Sequence, residues 1–259
     1  MKHVLKSAIG SLGYEVRKAP HLPQKRAEGT VVSWTKGDTE VTFYLENCFD
    51  LIGRDLFNCR FFEEAELDYL ADIVDPRGCI ADIGANLGNH TIYFATIIGA
   101  DQVVAFEPGT WAHPRLAFNV ALNRASDRVD IHKVALSDQP GEAWMDFLAA
   151  DNHGTLAITD DLTGEKVAVH TGDEFLVDRH VTLIKVDAER HELKVLQGLS
   201  ATIAKSQPVI AVEVLQTERP EMEAFLSAQG YRVEKAFERY GDIVNLIALP
   251  AGSPAARQE

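Results

Sequence analysis

Apolar residues come in short runs from residue 79 onward, and each run is followed by a stretch with helical periodicity. The runs that predict strands cover residues 79–83, 102–106, 129–135, 181–186 and 208–214, and the stretches that predict helices cover about 88–99, 110–124, 172–178, 190–204 and 219–229. Strands that alternate with helices predict a parallel sheet with helices on both faces. The expected fold class is therefore α/β, with a doubly wound, mostly parallel sheet.

The residues upstream of this alternating region predict a separate extension. Its expected elements are an amphipathic helix over residues 3–14, a polar linker over 20–29, a β-hairpin formed by 31–34 and 40–45, and a helix over 63–74. We therefore expect an N-terminal extension over residues 1–75 and a main domain over residues 76–250.

Two further β segments lie within and after the main alternation. Residues 142–148 and 166–170 predict a small β excursion around a polar loop, 150–155. The runs Tyr231–Lys235 and Asp242–Leu249 predict two short strands that form an antiparallel edge of the main sheet. Residues 251–259 predict a flexible tail.

The first strand of the main domain leads into a turn, Asp82-Ile-Gly-Ala-Asn-Leu-Gly88. Gly84 and Gly88 have no Cβ atom, so the backbone can turn sharply and a ligand can lie against it at the start of the next helix. Glu107 ends the second strand, where an acidic side chain can bind both hydroxyls of a ribose. Together these features predict a site for a cofactor that contains a nucleoside.

The spacing within this turn distinguishes between nucleoside cofactors. The dinucleotide motif G-x-G-x-x-G needs glycine at the positions of Asn86 and Asn89, and a side chain at the first of these argues against a pyrophosphate. An acidic turn repels a diphosphate but suits the ammonium and sulfonium of S-adenosylmethionine (SAM). An NAD(P)-dependent oxidoreductase and a non-catalytic nucleoside-binding protein remain as alternatives.

Composition narrows the class of partner and the compartment. The chain has 259 residues, of which 46% are hydrophobic, and a net charge of −14, so phosphate backbones are poor partners. This charge argues against nucleic acid as a partner, although Lys and Arg outnumber acids within residues 1–26. Three cysteines without metal-ligand spacing predict reduced thiols in a cytoplasmic protein. No apolar run is long enough for a transmembrane segment.

Several blocks of the main domain occur in the same order in one known family. They are DIGANLGNHT (82–91), AFEP (105–108) with Asn119 and Asn123, VALSD (134–138), LIKVDAERHEL (183–193) with Gly198, and PVIAVE (208–213). On these blocks the chain resembles the FkbM-type SAM-dependent methyltransferases, which have the class I, Rossmann-like methyltransferase fold. The resemblance implies methyl transfer from SAM to a hydroxyl, with a sugar in a glycan, a glycolipid or a glycosylated metabolite as the acceptor.

The resemblance also implies which residues contact SAM. Asp82, Gly84 and Asn86 are expected near its methionine portion, Glu107 at its ribose, and Ala135, Leu136, Ser137 and Asp138 beside its adenine. The full expected cofactor-binding set is Asp82, Gly84, Ala85, Asn86, Gly88, Glu107, Ala135, Leu136, Ser137 and Asp187. We expect no metal cofactor, although Asp187, Glu189, His191 and Glu213 are an alternative set of ligands for a divalent cation.

The fourth predicted strand carries the candidate catalytic residues. Lys185 and Asp187 alternate onto one face of an apolar strand, where a charge needs a partner, so they form either a catalytic pair or a structural ion pair. Methyl transfer to a hydroxyl releases a proton, and we expect His191, or Asp187 acting with it, to be the base. Lys185 would polarise the acceptor hydroxyl or orient the acid.

Other residues bear on the acceptor. Glu189 and Glu213 are expected to bind it, with helix capping as the alternative for Glu213. Arg190 stands where the family usually has glycine, so its side chain is expected to narrow or recharge the acceptor pocket. Trp34, Trp111 and Trp144 are either platforms for sugar stacking or core residues.

Overall fold

The computed structural model describes residues 29–46, 48–147, 156–159, 164–239 and 241–253. The helices are α1 (Leu51–Phe57), α2 (Glu64–Ile73), α3 (Asn89–Tyr93) with a π-helical continuation (Phe94–Ile98), α4 (Ala112–Leu122), α5 (Asp173–Leu176), α6 (Glu192–Gln197), α7 (Ser200–Ser206) and α8 (Arg219–Ala228). The strands are β1 (Thr30–Lys36), β2 (Thr39–Leu45), β3 (Cys79–Ile83), β4 (Gln102–Phe106), β5 (Val129–His132), β6 (Ala135–Leu136), β7 (Gly141–Phe147), β8 (Leu156–Thr159), β9 (Glu165–His170), β10 (Val181–Val186), β11 (Val209–Leu215), β12 (Tyr231–Glu238) and β13 (Ile243–Pro250).

Seven strands form the main sheet, in the order β12-β13-β11-β10-β3-β4-β5. The strands from β11 to β5 are parallel, and β13 and β12 add an antiparallel edge, as the sequence predicts. The chain runs outward from β3 through β4 to β5, and then continues on the other side of β3 through β10 to β11. The order therefore reverses between β3 and β10, where open α/β sheets form a crevice at the carboxyl ends of their strands.

Successive side chains of the central strands point to opposite faces of the sheet and supply two hydrophobic cores. Ile80 and Val103 belong to the core covered by α1 to α4 and by the β1–β2 hairpin. Ala81 and Val104 belong to the core covered by α5 to α8. The prediction of a doubly wound sheet with both faces covered is confirmed. Phe43 of the hairpin lies in the first of these cores, so the extension packs directly on the main sheet.

A smaller sheet of four strands, in the order β6-β9-β7-β8, lies beside the main one. Its β7 and β9 confirm the predicted β excursion. The strand predicted over residues 129–135 is wrong in its second half, because β5 ends at His132. Ala135 and Leu136 pair instead with Val169 and His170 of β9, a partner that is distant in sequence.

Three helices differ from the sequence prediction. The helix expected over residues 190–204 is divided into α6 and α7. The chain changes direction at Gly198, where the Ser137 carbonyl oxygen approaches so closely that a Cβ atom would lie 2.0 Å from it. The helix expected over 172–178 is a single turn, α5. Helix α1 was not predicted; the Asp50 carboxylate caps it by accepting a hydrogen bond from the Gly53 N–H at 2.6 Å.

Several predicted segments lie outside the described residues. They are the helix at 3–14, the linker up to residue 28, the loop at 150–155 and the tail after residue 253. Among the helices that the structure describes, none combines the length and the apolar character that crossing a bilayer requires.

Candidate active site

The turn after β3 is held tightly against the end of β10. Gly84 has a φ of +79°, and a Cβ atom there would lie 1.8 Å from the Asp187 carbonyl oxygen. Gly88 has a φ of +101°, and its missing side chain leaves room for Leu116. Both glycines therefore allow the predicted sharp turn, but the space they leave is filled by the protein's own atoms and not kept for a ligand.

Glu107 is buried where β4 ends and anchors this turn. Its Oε2 accepts a hydrogen bond from the Asn86 N–H and its Oε1 accepts one from the Gly109 N–H, each at 2.8 Å. Burial raises the pKa of Glu107 to about 7, and the two N–H donors limit this rise. Each carboxylate oxygen has a second lone pair, so both oxygens can also accept a hydrogen bond from a ligand hydroxyl.

Lys185 lies between two carboxylates where β10 meets β3. Its Nζ is 3.7 Å from Asp82 Oδ1 and 3.5 Å from Asp187 Oδ2. Burial lowers the pKa of the Lys185 ammonium, but Asp187 and Asp82 outweigh this effect and hold the pKa above its usual value. The lysine therefore stays charged, and the predicted pairing of Lys185 with Asp187 is present in the structure.

Two cavities adjoin at these strand ends. The first is lined by Ile83, Gly84, Asn86, Phe106, Glu107, Pro108, Ala112, Val134, Ala135, Leu136, Met145, Asp187, Ala188 and Glu189. The second is lined by Asp50, Leu51, Ile52, Phe62, Gly84, Ala85, Asn86, Leu87, Asn89, His90, Trp111, Lys185, Asp187, Glu189 and Glu213. Gly84, Asn86, Asp187 and Glu189 line both cavities, so a group bound in one can reach a group bound in the other beside these four residues.

Three of the expected cofactor residues line neither of these two cavities. Asp82 is fully buried behind the turn, where its Oδ2 accepts a hydrogen bond from the Thr91 hydroxyl at 2.5 Å. Gly88 packs against Leu116. Ser137 donates a hydrogen bond to Asp138 Oδ1 at 2.9 Å and contacts His191. Asp82 and Gly88 thus shape the site from behind.

The acidic turn after β10 has a strained backbone that one carboxylate holds in place. Glu189 and Arg190 have φ values of +51° and +75°, in the left-handed region that favours glycine. Glu192 Oε1 accepts hydrogen bonds from the N–H groups of Ala188 and Arg190, at 3.0 and 2.9 Å. Glycine suits this conformation better than a residue with a side chain, so Arg190 keeps the turn at the expense of backbone strain.

His191 lies beside Ser137 and lines a separate cavity. Its Nε2 is 2.9 Å from the Ser137 hydroxyl, and it lines a third cavity with Arg190, Lys194 and Glu218. Burial and the Lys194 ammonium lower the pKa of His191. His191 therefore lines neither of the two joined cavities, both of which are lined by Asp187.

Glu213 and Glu189 add two acidic side chains to the second cavity. Burial, together with the neighbouring carboxylates of Asp187 and Glu63, raises the pKa of Glu213 to about 9. Burial and the carboxylates of Asp187 and Glu192 raise the pKa of Glu189 to about 8. Within the described part of the chain, no group of three or more His, Cys, Asp or Glu side chains is arranged to hold a metal ion.

A polar contact between the extension and the start of α3 was not predicted from the sequence. Asn89 Oδ1 accepts a hydrogen bond from the Phe62 N–H at 2.9 Å, and Asn89 Nδ2 donates to the Phe62 carbonyl at 3.0 Å. His90 Nε2 lies 2.9 Å from Glu63 Oε2, and Arg239 pairs with the other Glu63 oxygen. The pair of polar residues Asn89 and His90, at the start of an otherwise apolar helix, was the sequence signal that could have predicted this contact.

The three tryptophans have different surroundings. Trp34 stacks on Phe43, with ring centroids 5.7 Å apart, and packs against the core. Trp144 lies in β7 of the small sheet. Trp111 lines the second cavity, with its Nε1 donating to Glu46 Oε2 at 3.1 Å and the Arg115 guanidinium 4.2 Å from its ring centroid. Of these three residues, Trp111 is the one that lines either of the two joined cavities.

Comparison with known proteins gives one family match and several distant relatives. The family model described as "Methyltransferase FkbM domain" matches residues 82–233, which is more than half of the chain. The AMB antimetabolite synthetase AmbE of Pseudomonas aeruginosa is 27% identical over 53% of this chain, which spans 8% of that protein. The hexuronic acid methyltransferase AglP of Haloferax volcanii is 29% identical over 59% of this chain, which spans 62% of that protein.

A solved structure supports the fold. The chain superimposes on methyltransferase FkbM from Methylobacillus flagellatus KT with a TM-score of 0.51 at 16% identity, over 66% of this chain and 44% of that one. At this identity the match is a likeness of fold, and it agrees with the sheet order and the crevice described above.

Proposed function

The chain belongs to the FkbM methyltransferase family, and on this basis we propose that it transfers a methyl group from SAM to a hydroxyl of a sugar in a glycan, a glycolipid or a glycosylated metabolite. One observation carries the proposal. The two cavities meet at Asn86, Asp187 and Glu189, so a methyl donor in the first and an acceptor in the second would face each other at the strand ends.

The first cavity fits the cofactor of this family. Asn86 Oδ1 is buried and accepts no hydrogen bond from the described residues, so it can accept one from a ligand ammonium. Glu107 would take the ribose hydroxyls, and Ala135 and Leu136 would provide an apolar surface for the adenine. When bound, SAM supplies an electrophilic methyl group and a neutral thioether as the leaving group. The chain's own residues must orient the acceptor and remove its proton.

The second cavity fits a polyhydroxylated acceptor. Lys185, Asp187 and Glu213 give it a polar wall that can donate hydrogen bonds to several hydroxyls and accept hydrogen bonds from them, and Trp111 adds an aromatic surface. A relative that acts on a hexuronic acid, AglP, supports a sugar as the acceptor class. Arg190 lines the third cavity, so the side chain that departs from the family pattern lies beside the acceptor cavity and not within it.

The predicted roles of Lys185 and Asp187 remain part of the proposal. Asp187 lines both cavities and would accept a hydrogen bond from an acceptor hydroxyl next to the reacting one, while Lys185 holds its carboxylate in position. Alignment of this kind is worth about 7–11 kcal/mol in favourable cases, which is more than a single proton acceptor provides. The arrangement of His191 with Ser137 argues against His191 as the base.

Cytoplasmic localisation and the exclusion of nucleic acid remain proposals. All three cysteines are free thiols, which supports a reducing compartment. The net charge of −14 disfavours a phosphate backbone as the acceptor.

Incubation with radiolabelled SAM and a panel of methyl glycosides tests the proposal. The panel contains mannose, galactose, rhamnose, N-acetylglucosamine and glucuronic acid glycosides, together with glycosylated polyketides and a simple amine. We expect label on at least one sugar hydroxyl and none on the amine. Label on the amine alone, or on no member of the panel, would contradict sugar O-methylation.

A further inference from the structure

We propose that Glu189 is the group that takes the proton from the acceptor hydroxyl, a role that rests on the proposed methyl transfer. Asp187 and Glu189 are the two carboxylates, among the described residues, that line both cavities. The Asp187 carboxylate is occupied by the Lys185 ammonium at 3.5 Å. For Glu189, the described part of the chain provides no hydrogen bond or ion pair within contact distance. Its carboxylate is therefore available to a hydroxyl at the junction of the cavities.

The backbone of the turn that carries Glu189 is held by hydrogen bonds within the turn. Glu189 and Arg190 are consecutive residues with left-handed backbones, a conformation that costs a non-glycine residue energy and that is retained mostly at functional sites. The Glu192 carboxylate is 5% exposed and holds the turn from behind, through the N–H groups on both sides of Glu189. Glu192 is thus a positioning residue, and the place of Glu189 is fixed by hydrogen bonds within its own turn.

The chemistry suits a carboxylate in this position. A lone pair of the acceptor oxygen forms the new bond to the methyl carbon, the electron pair of the broken carbon–sulfur bond stays on sulfur, and the hydroxyl proton moves to a Glu189 oxygen and then to solvent. A base works best when its pKa lies near the working pH. Burial, Asp187 and Glu192 raise the pKa of Glu189 to about 8, against the lowering effect of Arg190 and Lys185. Glu213 also faces this group across the second cavity.

The other candidate bases are less well placed. His191 contacts Ser137 and lines the third cavity, so it does not line the junction of the first two cavities where the hydroxyl would be. His90 lines the second cavity, but its Nε2 is committed to Glu63, and its Nδ1 lies 3.4 Å from Asn89 Nδ2. The Asp187 carboxylate is already paired with the Lys185 ammonium, at 3.5 Å.

The test compares Glu189→Gln with the wild-type protein and with Glu221→Gln, which makes the same change at an exposed acid of α8. The acceptor is the glycoside of the panel that the wild type methylates. We expect Glu189→Gln to lower kcat by about 10²–10⁴-fold with little change in KM. The wild-type kcat/KM should rise with pH, with the midpoint of the rise near pH 8. The variant should not show this rise. Calorimetry with S-adenosylhomocysteine should give the same affinity for all three proteins.

A second measurement does not depend on activity. Because the pKa of Glu189 is raised in the folded state, its ionisation destabilises the protein as pH rises, so Glu189→Gln should raise Tm more at pH 9 than at pH 6. If Glu189→Gln does not fold, Glu189→Asp decides the matter. It should keep an ionising step in the pH profile, with a shifted midpoint and a lower kcat.

The outcomes separate the two proposals. An active wild type whose Glu189→Gln variant keeps its kcat and its pH profile would overturn the role of Glu189 and leave sugar methylation standing. An unchanged kcat and midpoint in Glu189→Asp would have the same meaning. A wild type that binds S-adenosylhomocysteine but methylates no glycoside would overturn the proposed acceptor class, and the role of Glu189 would fall with it.

Discussion

The Lys185 ammonium lies 3.7 Å from Asp82 Oδ1, directly across the β10–β3 strand pair, and the Asp82 side chain is fully buried. These two strands lie where the order of the sheet reverses, so the pair joins the two halves of the fold beneath the candidate site. Asp82 compensates the charge that Lys185 carries into the sheet.

Lys185→Met should therefore be strongly destabilising. It leaves the Asp82 carboxylate buried without its cation, and breaking a buried pair in this way costs about 3–5 kcal/mol. Adding Asp82→Asn to Lys185→Met should recover part of the lost stability, because it removes the unpaired carboxylate charge and keeps the contact with Thr91. Urea unfolding of the two single variants and of the double variant measures both effects.

Lys194→Met, the same change at an exposed position of α6, is the matched control for Lys185→Met. We expect it to alter the free energy of unfolding by less than about 0.5 kcal/mol. A Lys185→Met variant as stable as Lys194→Met, or a double variant less stable than both single variants, would contradict the structural role of the pair.

The stability of the ligand-free protein should fall as pH rises from about 5 to 9. Burial raises the pKa of Glu66, Glu107 and Glu192 to about 7, and that of Glu189 and Glu213 to about 8 and 9. An unfolded chain loses these protons near pH 4.3, so in this window the folded state binds more protons and is favoured by acid.

Glu63 acts in the opposite direction at low pH. His90 and Arg239 outweigh burial and lower the pKa of Glu63 to about 2. Its contribution to the free energy of unfolding is therefore fully present above about pH 4.3 and is lost as pH falls towards 2. The urea midpoint should therefore be highest near pH 5. A midpoint that rises steadily from pH 6 to pH 9 would contradict these assignments.

Asn119 should be needed to hold β2 against α4. Its Oδ1 accepts from the Tyr44 N–H at 2.7 Å, and its Nδ2 donates to the Leu87 carbonyl at 2.8 Å. Asn119→Ala leaves the Tyr44 N–H and the Leu87 carbonyl without these partners, which should lower the free energy of unfolding by about 1–3 kcal/mol. Hydrogen exchange at the Tyr44 amide should accelerate. Asn58→Ala, at an exposed position, serves as the control. An equal effect of the two changes on the exchange rate of the Tyr44 amide would contradict the role of Asn119.

The parts of the fold that follow local pattern could be predicted from the sequence. Strands β3 and β4 are buried apolar runs next to helical patterns, and their predicted limits are those of the structure. The hairpin and the antiparallel edge were predicted from alternation and turn residues in the same way. These elements depend mainly on the side chains within them.

The errors arose where contacts distant in sequence decide the structure. Ala135 and Leu136 leave the main sheet because β9 offers them a partner. The break at Gly198 depends on the approach of Ser137. The left-handed backbone of Glu189 and Arg190 was not predicted either, because neither residue is of a type that indicates such a backbone. Periodicity contains no information on any of these contacts.

The central claim is that the turn after β3, anchored by Glu107, binds SAM. Calorimetric titration with S-adenosylhomocysteine, and with NAD for comparison, tests it most directly, using the wild type, Glu107→Gln and the control Glu221→Gln. We expect one site for S-adenosylhomocysteine in the wild type and the control, about 10–100-fold weaker binding in Glu107→Gln, and no binding of NAD. Binding of NAD that Glu107→Gln weakens, or an affinity for S-adenosylhomocysteine that Glu107→Gln leaves unchanged, would contradict the account.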